Sequence, residues 1–112
     1  MDMAQLHWSC ANYAPWQEMA LWKGLEGIAK QGLAKEIGVS NYGPKQLQKI
    51  AAFLADNGLK LASCQAQYSL LMRDPEIYGL KDTCDMLGIQ LIAYSPLALG
   101  LLTGTCGRCR IP

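Results

Sequence analysis

Stretches with helical spacing of apolar residues alternate along the chain with short apolar runs. In the first stretch, Leu21, Leu25 and Ile28 recur on one helix face, and Gly32 follows as a stop signal. The next run, residues 37–41, is typical of a short buried strand. The pattern therefore predicts a helix followed directly by a strand.

The same unit occurs twice more. The second predicted helix begins at Gly43-Pro44 and ends at Asn57-Gly58, and the third begins at Asp74-Pro75 and ends at Gly88. The predicted strands are residues 4–8, 37–41, 59–65 and 89–94. The apolar stripes of the second and third helices are Leu47, Ile50, Ala51 and Leu54, and Ile77, Leu80, Cys84 and Leu87.

Strands that alternate with helices predict an α/β fold with a parallel sheet and right-handed crossovers. Two architectures fit this order. An open, doubly wound sheet carries helices on both faces, whereas a (β/α)8 TIM barrel has them all outside and needs about 250 residues. The chain has 112 residues, so length alone favours the open sheet.

Polar side chains stand at the predicted carboxyl ends of four successive strands. In parallel α/β folds these ends converge on the ligand site, so the sequence predicts a binding site there. The alternative is that these side chains only satisfy backbone groups of the loops. The residues are His7, Ser40, Asn41, Gln65, Tyr94 and Ser95.

Composition narrows the class of protein. With 51% hydrophobic residues, 17% charged residues and a net charge of +1, we expect one soluble globular domain that binds neither nucleic acid nor an anionic membrane. No apolar run approaches the roughly 20 residues of a membrane-spanning helix, and residues 1–5 do not resemble a targeting signal. Five cysteines, an odd number, favour a reducing compartment, which is the cytoplasm or another such compartment, a plastid included.

Five motifs, taken in order and spacing, resemble the aldo-keto reductase family of NADP-dependent oxidoreductases. They are Gln5-Leu6-His7-Trp8, residues 37–42, residues 65–71, residues 93–97 and residues 100–104. The resemblance covers residues 4–104. It implies a partial domain at residues 1–104 and leaves 105–112 as a divergent tail. It implies a TIM barrel, of which this chain supplies about four parallel strands and three helices, corresponding to strands four to seven.

The resemblance also implies roles for individual residues in reducing aldehydes and ketones with NADPH. His7 corresponds to the active-site histidine that orients the substrate carbonyl. Ser40, Asn41 and Gln65 resemble the residues that hold the nicotinamide carboxamide, and Tyr94 the aromatic residue that stacks on its ring. Ser95 and Leu97 correspond to positions that meet the cofactor pyrophosphate.

The family's catalytic tyrosine, lysine and aspartate lie upstream of the Leu6-His7-Trp8 motif, so we expect no turnover from these 112 residues alone. A partial barrel predicts two unpaired sheet edges and an apolar inner face, and hence a complementing half-barrel or an oligomer. Two alternatives are a non-catalytic NADP-binding regulatory subunit or inactive truncated product, and an open four-stranded domain without a site.

The remaining cysteines and aromatic residues carry weaker signals. Cys106 and Cys109 form a C-x-x-C motif, but the other features of a zinc or dithiol site are missing, so we interpret the motif as incidental and expect no metal site. Cys10, Cys64 and Cys84 are expected to be small buried hydrophobes. Trp16 and Trp22 are expected to cover the exterior or a helix contact, although Tyr13 and Trp16 in a loop also suit a pocket wall.

Overall fold

The computed structural model describes residues 1–105, which form one sheet of four parallel strands. The strand order β1-β2-β3-β4 follows the chain, so each strand pairs with its sequence neighbour. This confirms the predicted parallel α/β architecture. The strands are β1 (Met3–Leu6), β2 (Glu36–Ser40), β3 (Leu61–Gln67) and β4 (Gln90–Tyr94).

Helices connect successive strands and start and stop near the predicted signals. A proline lies in the first turn of each of the first three helices, where its fixed φ suits the helix and its missing N–H costs nothing. The backbone after the first two helices turns at Gly32 and Gly58 with φ of 69° and 73°. The helices are α1 (Pro15–Lys30), α2 (Pro44–Asp56), α3 (Asp74–Ile77) and α4 (Leu80–Leu87), and a 3-10 segment spans Ala98–Thr103.

The third predicted helix is split in two, which corrects the single stripe expected there. Gly79, with φ of 80°, separates α3 from α4. Ile77, the last residue of α3, is 69% exposed, so it does not continue the buried stripe. The later positions of the predicted stripe, Leu80 and Cys84, are buried as expected.

A single apolar core lies between the helices and one face of the sheet. Residues from α1, α2 and α4 form one cluster with alternate strand residues such as Ile37 and Val39. These three helices therefore cover the same face, as in a barrel, and the open doubly wound arrangement is excluded for residues 1–105. The buried cluster comprises Trp22, Leu25, Ile37, Val39, Tyr42, Leu47, Ile50, Leu54, Leu61, Cys64, Ala66, Leu80, Cys84 and Ile89.

The opposite, inner face of the sheet is largely polar, so the expectation of an apolar inner face is wrong. Gln5, Gly38 and Ser63 lie side by side in the register of β1, β2 and β3. The Gln5 amide donates a 2.9 Å hydrogen bond to Ser63 Oγ across Gly38. A Cβ at Gly38 would lie 2.2 Å from that oxygen, so only glycine fits beneath the bond. Apolar strand residues such as Ile37, Val39 and Cys64 lie on the opposite face, in the core with the helices.

The two outer strands have one neighbour each. Among the described residues, β1 pairs only with β2 and β4 only with β3, which agrees with the two predicted open edges. Within residues 1–105 no helix is both long and apolar enough to cross a membrane.

Candidate functional site

A cavity of about 390 Å³ opens on the inner face, at the carboxyl ends of the strands. The structure brings five of the predicted site residues together around it. Its lining consists of Gln5, His7, Trp8, Ser40, Asn41, Gln65 and Tyr94.

The sheet register explains why these residues meet. Ser40 and Tyr94 are the last residues of β2 and β4, and His7 follows the last residue of β1. Gln65 does not end its strand, because β3 continues to Gln67, which corrects the predicted boundary. It nevertheless pairs with Ser40 in the register of β2 and β3, so the two side chains lie at one level of the inner face.

Asn41, which directly follows β2, is hydrogen-bonded to residues in or next to the other three strands. Its backbone N–H donates to the Gln65 carbonyl at 2.8 Å, and its side-chain amide donates to the His7 carbonyl at 3.2 Å. Its carboxamide oxygen accepts a hydrogen bond from the Tyr94 hydroxyl at 2.9 Å. Asn41 has φ of 59°, in the left-handed region that asparagine tolerates better than most residues. This backbone strain is typical of residues that organise a site.

Ser40 and Gln65 differ in whether their side-chain hydrogen-bonding groups already have partners in the protein. The Ser40 hydroxyl is buried, donates to the Gln65 carbonyl at 3.1 Å and accepts from the Asn41 amide at 3.1 Å. The Gln65 carboxamide has no hydrogen-bond partner among residues 1–105 and lines the cavity. It therefore offers one acceptor and two donor hydrogens to a ligand.

His7 and Trp8 form the side of the cavity next to the β1 edge. Their ring centroids are 5.9 Å apart and the rings are tilted by 40°. Within the described chain, no hydrogen bond engages the His7 imidazole, so both ring nitrogens are available to a ligand. A neutral imidazole can donate from one nitrogen and accept at the other. Trp8 is 56% exposed and forms an aromatic rim.

Ser95 and Leu97 lie beside the cavity but do not line it. They belong to the segment after β4, in which Ser95, Ala98, Leu99 and Gly100 all have positive φ, between 51° and 96°. Within the segment, the Ala98 and Gly100 N–H groups donate to the carbonyls of Ser95 and Leu97. The segment is joined directly to Tyr94 and therefore begins next to the cavity.

Sequence reasoning missed Gln5, Trp8 and Glu18. Gln5 lies two residues before His7 on β1, so the two-residue period of a strand could have placed it on the same face. Trp8 was noted only as part of the motif around His7. Glu18 gave no signal, because an acidic residue in the first turn of a helix is ordinarily exposed, whereas Glu18 is buried.

The cysteines and aromatic residues outside the cavity are mostly packing residues. Trp22 is buried against α2, and Tyr13 and Trp16 are exposed and absent from the cavity lining, which favours the structural interpretation of these aromatic residues. Cys10, Cys64 and Cys84 are buried free thiols. Residues 1–105 contain no group of three potential metal ligands. The pair Cys106 and Cys109, with most of the predicted 105–112 tail, lies outside the described residues.

Comparisons with known proteins agree with the fold and the motifs. The family model described as "Aldo/keto reductase family" matches residues 1–109. The chain is 50% identical over 112 residues to the chloroplastic pyridoxal reductase of Arabidopsis thaliana, covering 100% of this chain and 31% of that protein. It is 38% identical over 90 residues to the L-glyceraldehyde 3-phosphate reductase of Escherichia coli K12, covering 80% and 25% of the two chains.

A solved structure with the same fold is a thermostable aldo-keto reductase crystallised with the inhibitor epalrestat. It superposes with a TM-score of 0.75 and 31% identity, over 93% of this chain and 36% of that chain. The chain thus spans about a third or less of the length of these three proteins.

Proposed function

Because the chain belongs to the aldo/keto reductase family, we propose that its cavity is the histidine and nicotinamide side of an NADP(H)-dependent carbonyl reductase site. The proposed reaction is the reduction of an aldehyde or ketone to an alcohol. The bound cofactor supplies the hydride for this reaction. The residues of this chain supply the binding, the orientation and a hydrogen bond to the carbonyl oxygen.

The observation that carries the proposal is the free carboxamide of Gln65 beside the Tyr94 ring in one cavity. A nicotinamide consists of a flat ring with a carboxamide, which needs a donor and an acceptor together with an aromatic surface. Gln65 provides the first and Tyr94 the second. The residues present therefore fit the cofactor that the family implies.

Ser40 and Asn41 complete this part of the proposed cofactor site. Asn41 holds the Tyr94 hydroxyl at 2.9 Å, which fixes the orientation of the ring before any ligand arrives. Ser40 is held level with Gln65 by the sheet register and by its bond to the Gln65 carbonyl. Preorganised groups of this kind reduce the entropy lost on binding.

His7 is the proposed catalytic residue of this chain. A neutral imidazole nitrogen on the cavity wall can donate a hydrogen bond to the substrate carbonyl oxygen and so orient the carbonyl carbon toward the hydride donor. Its backbone is fixed by the Asn41 amide, which bonds the His7 carbonyl. The substrate-orienting and cofactor-binding residues are thereby joined by one hydrogen bond.

We assign the cofactor pyrophosphate to the segment that contains Ser95 and Leu97. The place of the segment supports this assignment, because it follows directly on the carboxyl end of β4, the end of the sheet at which barrels commonly bind phosphate.

The substrate we propose is a small-molecule aldehyde, of aromatic type if it stacks on Trp8. The exposed indole of Trp8 beside His7 supports an aromatic carbonyl. The names of two relatives agree with an aldehyde substrate, since one is called a pyridoxal reductase and the other an L-glyceraldehyde 3-phosphate reductase.

We also propose that further strands of a barrel, from the same or a second chain, pair with the open edges of β1 and β4. A reducing compartment is proposed as the location. The three buried free thiols support it, and a plastid is supported by the name of the chloroplastic relative.

A second candidate is NADP binding without catalysis, as in a regulatory subunit. It is favoured by the cavity lining, which within residues 1–105 contains no lysine or aspartate and no tyrosine except Tyr94. Fluorescence titration of the full chain with NADPH tests both candidates, and the absence of saturable binding rejects both. The candidates differ in the role of His7, the single histidine of the chain. A shift of the His7 imidazole resonances when pyridoxal is added to the NADPH-bound chain supports the reductase site, and no shift supports NADP binding alone.

A further inference from the structure

Glu18 is a buried carboxylate in the first turn of α1, outside the cavity. Its two oxygens accept five hydrogen bonds. Oε1 accepts from the Ser9 hydroxyl at 2.9 Å, the Trp22 indole N–H at 3.1 Å and the Tyr42 hydroxyl at 3.0 Å. Oε2 accepts from the Cys10 backbone N–H at 2.8 Å and from its thiol at 3.1 Å.

Apart from Trp22, which lies on α1 itself, these donors belong to the two loops that carry the proposed site. Ser9 and Cys10 lie two and three residues after His7, and Tyr42 follows Asn41 directly. The carboxylate therefore fixes the loop after β1 and the loop after β2 to the same helix. On the cavity side the same two loops are joined by the 3.2 Å bond from the Asn41 amide to the His7 carbonyl.

The network requires a carboxylate rather than a neutral polar group. Every group that faces the two oxygens is a donor, so the amide NH2 of a glutamine would meet donors on one side. Burial raises the pKa of Glu18, but hydrogen bonds from Cys10, Ser9 and Tyr42 outweigh it, and the pKa lies below its ordinary value. Glu18 is therefore ionised at neutral pH, and its five bonds are charge-assisted.

We propose that Glu18 is a positioning residue that sets the distance between His7 and Asn41. This rests on the proposed function, in which the first residue orients the carbonyl and the second organises the nicotinamide side. The effect acts through the two loops, since Glu18 does not line the cavity.

The test uses the full chain and a spectroscopic signal that stability alone does not move. His7 is the single histidine, so the imidazole gives one set of NMR resonances that reports its surroundings. Glu18→Gln removes the charge with little change in shape. Glu26→Gln is the matched control, because Glu26 lies on the same helix and forms only an i,i+4 ion pair with Lys30.

For Glu18→Gln we expect displaced His7 and Trp22 side-chain resonances and NADPH affinity weakened about tenfold, as expected for the loss of a charge-assisted bond. Glu26→Gln is expected to change neither these resonances nor the NADPH affinity. An unfolding midpoint lowered by Glu18→Gln, with the His7 resonances and the NADPH affinity unchanged, would show a purely structural role and overturn the proposal.

Two further results distinguish failure of the positioning role of Glu18 from failure of the proposed cofactor site. If the wild-type chain does not bind NADPH but Glu18→Gln still displaces the His7 resonances, the positioning role stands and the cofactor proposal fails. If Glu18→Gln does not fold, Tyr42→Phe removes one donor and keeps the ring. A smaller displacement of the same His7 resonances is then expected, and no displacement rejects the inference.

Discussion

The carboxamide oxygen of Asn41 accepts a hydrogen bond from the Tyr94 hydroxyl at 2.9 Å, which links the loop after β2 to the end of β4 across the intervening strand. The same side chain donates to the backbone carbonyl of His7. One asparagine thereby sets the relative positions of an imidazole and an aromatic ring on opposite sides of the cavity. In the proposed function the imidazole orients the substrate and the aromatic ring stacks on the cofactor, so the hydrogen bonds of Asn41 hold the two binding positions in place.

Asn41→Ala should weaken NADPH binding about tenfold or more, because it removes three side-chain hydrogen bonds and puts alanine in the left-handed region. Asn57→Ala is the matched control. Asn57 bonds the Phe53 carbonyl at the end of α2, far from the cavity lining. NADPH titration of both variants measures the difference, and equal affinities would refute the role of Asn41.

Tyr94→Phe and Tyr94→Ala separate the ring from the hydroxyl. Phenylalanine keeps the stacking surface and loses only the bond to Asn41, so we expect a small loss of NADPH affinity. Alanine removes the surface and should lose about tenfold more. Titration followed by the change in NADPH fluorescence gives the dissociation constant of each variant. A phenylalanine variant as weak as the alanine variant would show that the ring does not stack on the nicotinamide.

Gly38→Ala should destabilise the fold by about 1–3 kcal/mol, because its Cβ would meet Ser63 Oγ and break the bond from Gln5. Gly24→Ala in α1 is the control. A Cβ at Gly24 would meet no neighbouring atom within 4 Å, and alanine favours a helix by about 0.5–1 kcal/mol over glycine. Urea unfolding of the two variants should therefore shift in opposite directions, and a neutral Gly38→Ala would contradict the packing described.

Acid should destabilise the chain partly through Glu18. Its pKa is lowered in the folded state by its hydrogen bonds, so its stabilisation is complete above the ordinary glutamate pKa of about 4.3 and is lost as the pH falls through the folded value. Unfolding free energy should therefore fall less steeply with acidification in Glu18→Gln than in the wild type. Parallel curves below pH 5 would show that Glu18 is not ionised in its network.

Much of the fold follows from local signals in the sequence. Prolines at 15, 44 and 75 and glycines at 32, 58 and 88 set the helix boundaries through their restricted or permissive backbone, so these were predictable from a few residues. The break at Gly79 was not predicted, because the apolar spacing from Ile77 to Leu87 continues across it.

Site residues that stand at a strand end could be predicted from the sequence. Residues whose position depends on contacts between distant segments could not. His7, Ser40, Asn41 and Tyr94 stand at or just after strand ends and could be placed together from the parallel topology alone. Gln65 reaches the cavity through the register of β3 with β2 rather than through the strand end. Glu18 is buried because the loops after β1 and β2 converge on its helix, and the spacing of apolar residues along the chain gives no sign of that tertiary contact.

The 112 residues alone should show no oxidation of NADPH with pyridoxal, because within residues 1–105 the cavity lining has no second tyrosine to protonate the product oxygen. A spectrophotometric assay of NADPH absorbance checks this. Turnover by this chain that His7→Ala abolishes would refute the expectation, whereas turnover that persists in His7→Ala would point to a contaminant.

The most direct test of the proposed site is NADPH titration of the wild-type chain, Gln65→Ala and Gln48→Ala. Gln65 lines the cavity with a free carboxamide, and Gln48 is an exposed glutamine on α2 outside it. The proposal predicts saturable binding that Gln65→Ala weakens about tenfold and Gln48→Ala leaves unchanged. No saturable binding, or equal affinities for both variants, would contradict the assignment of this cavity to the nicotinamide.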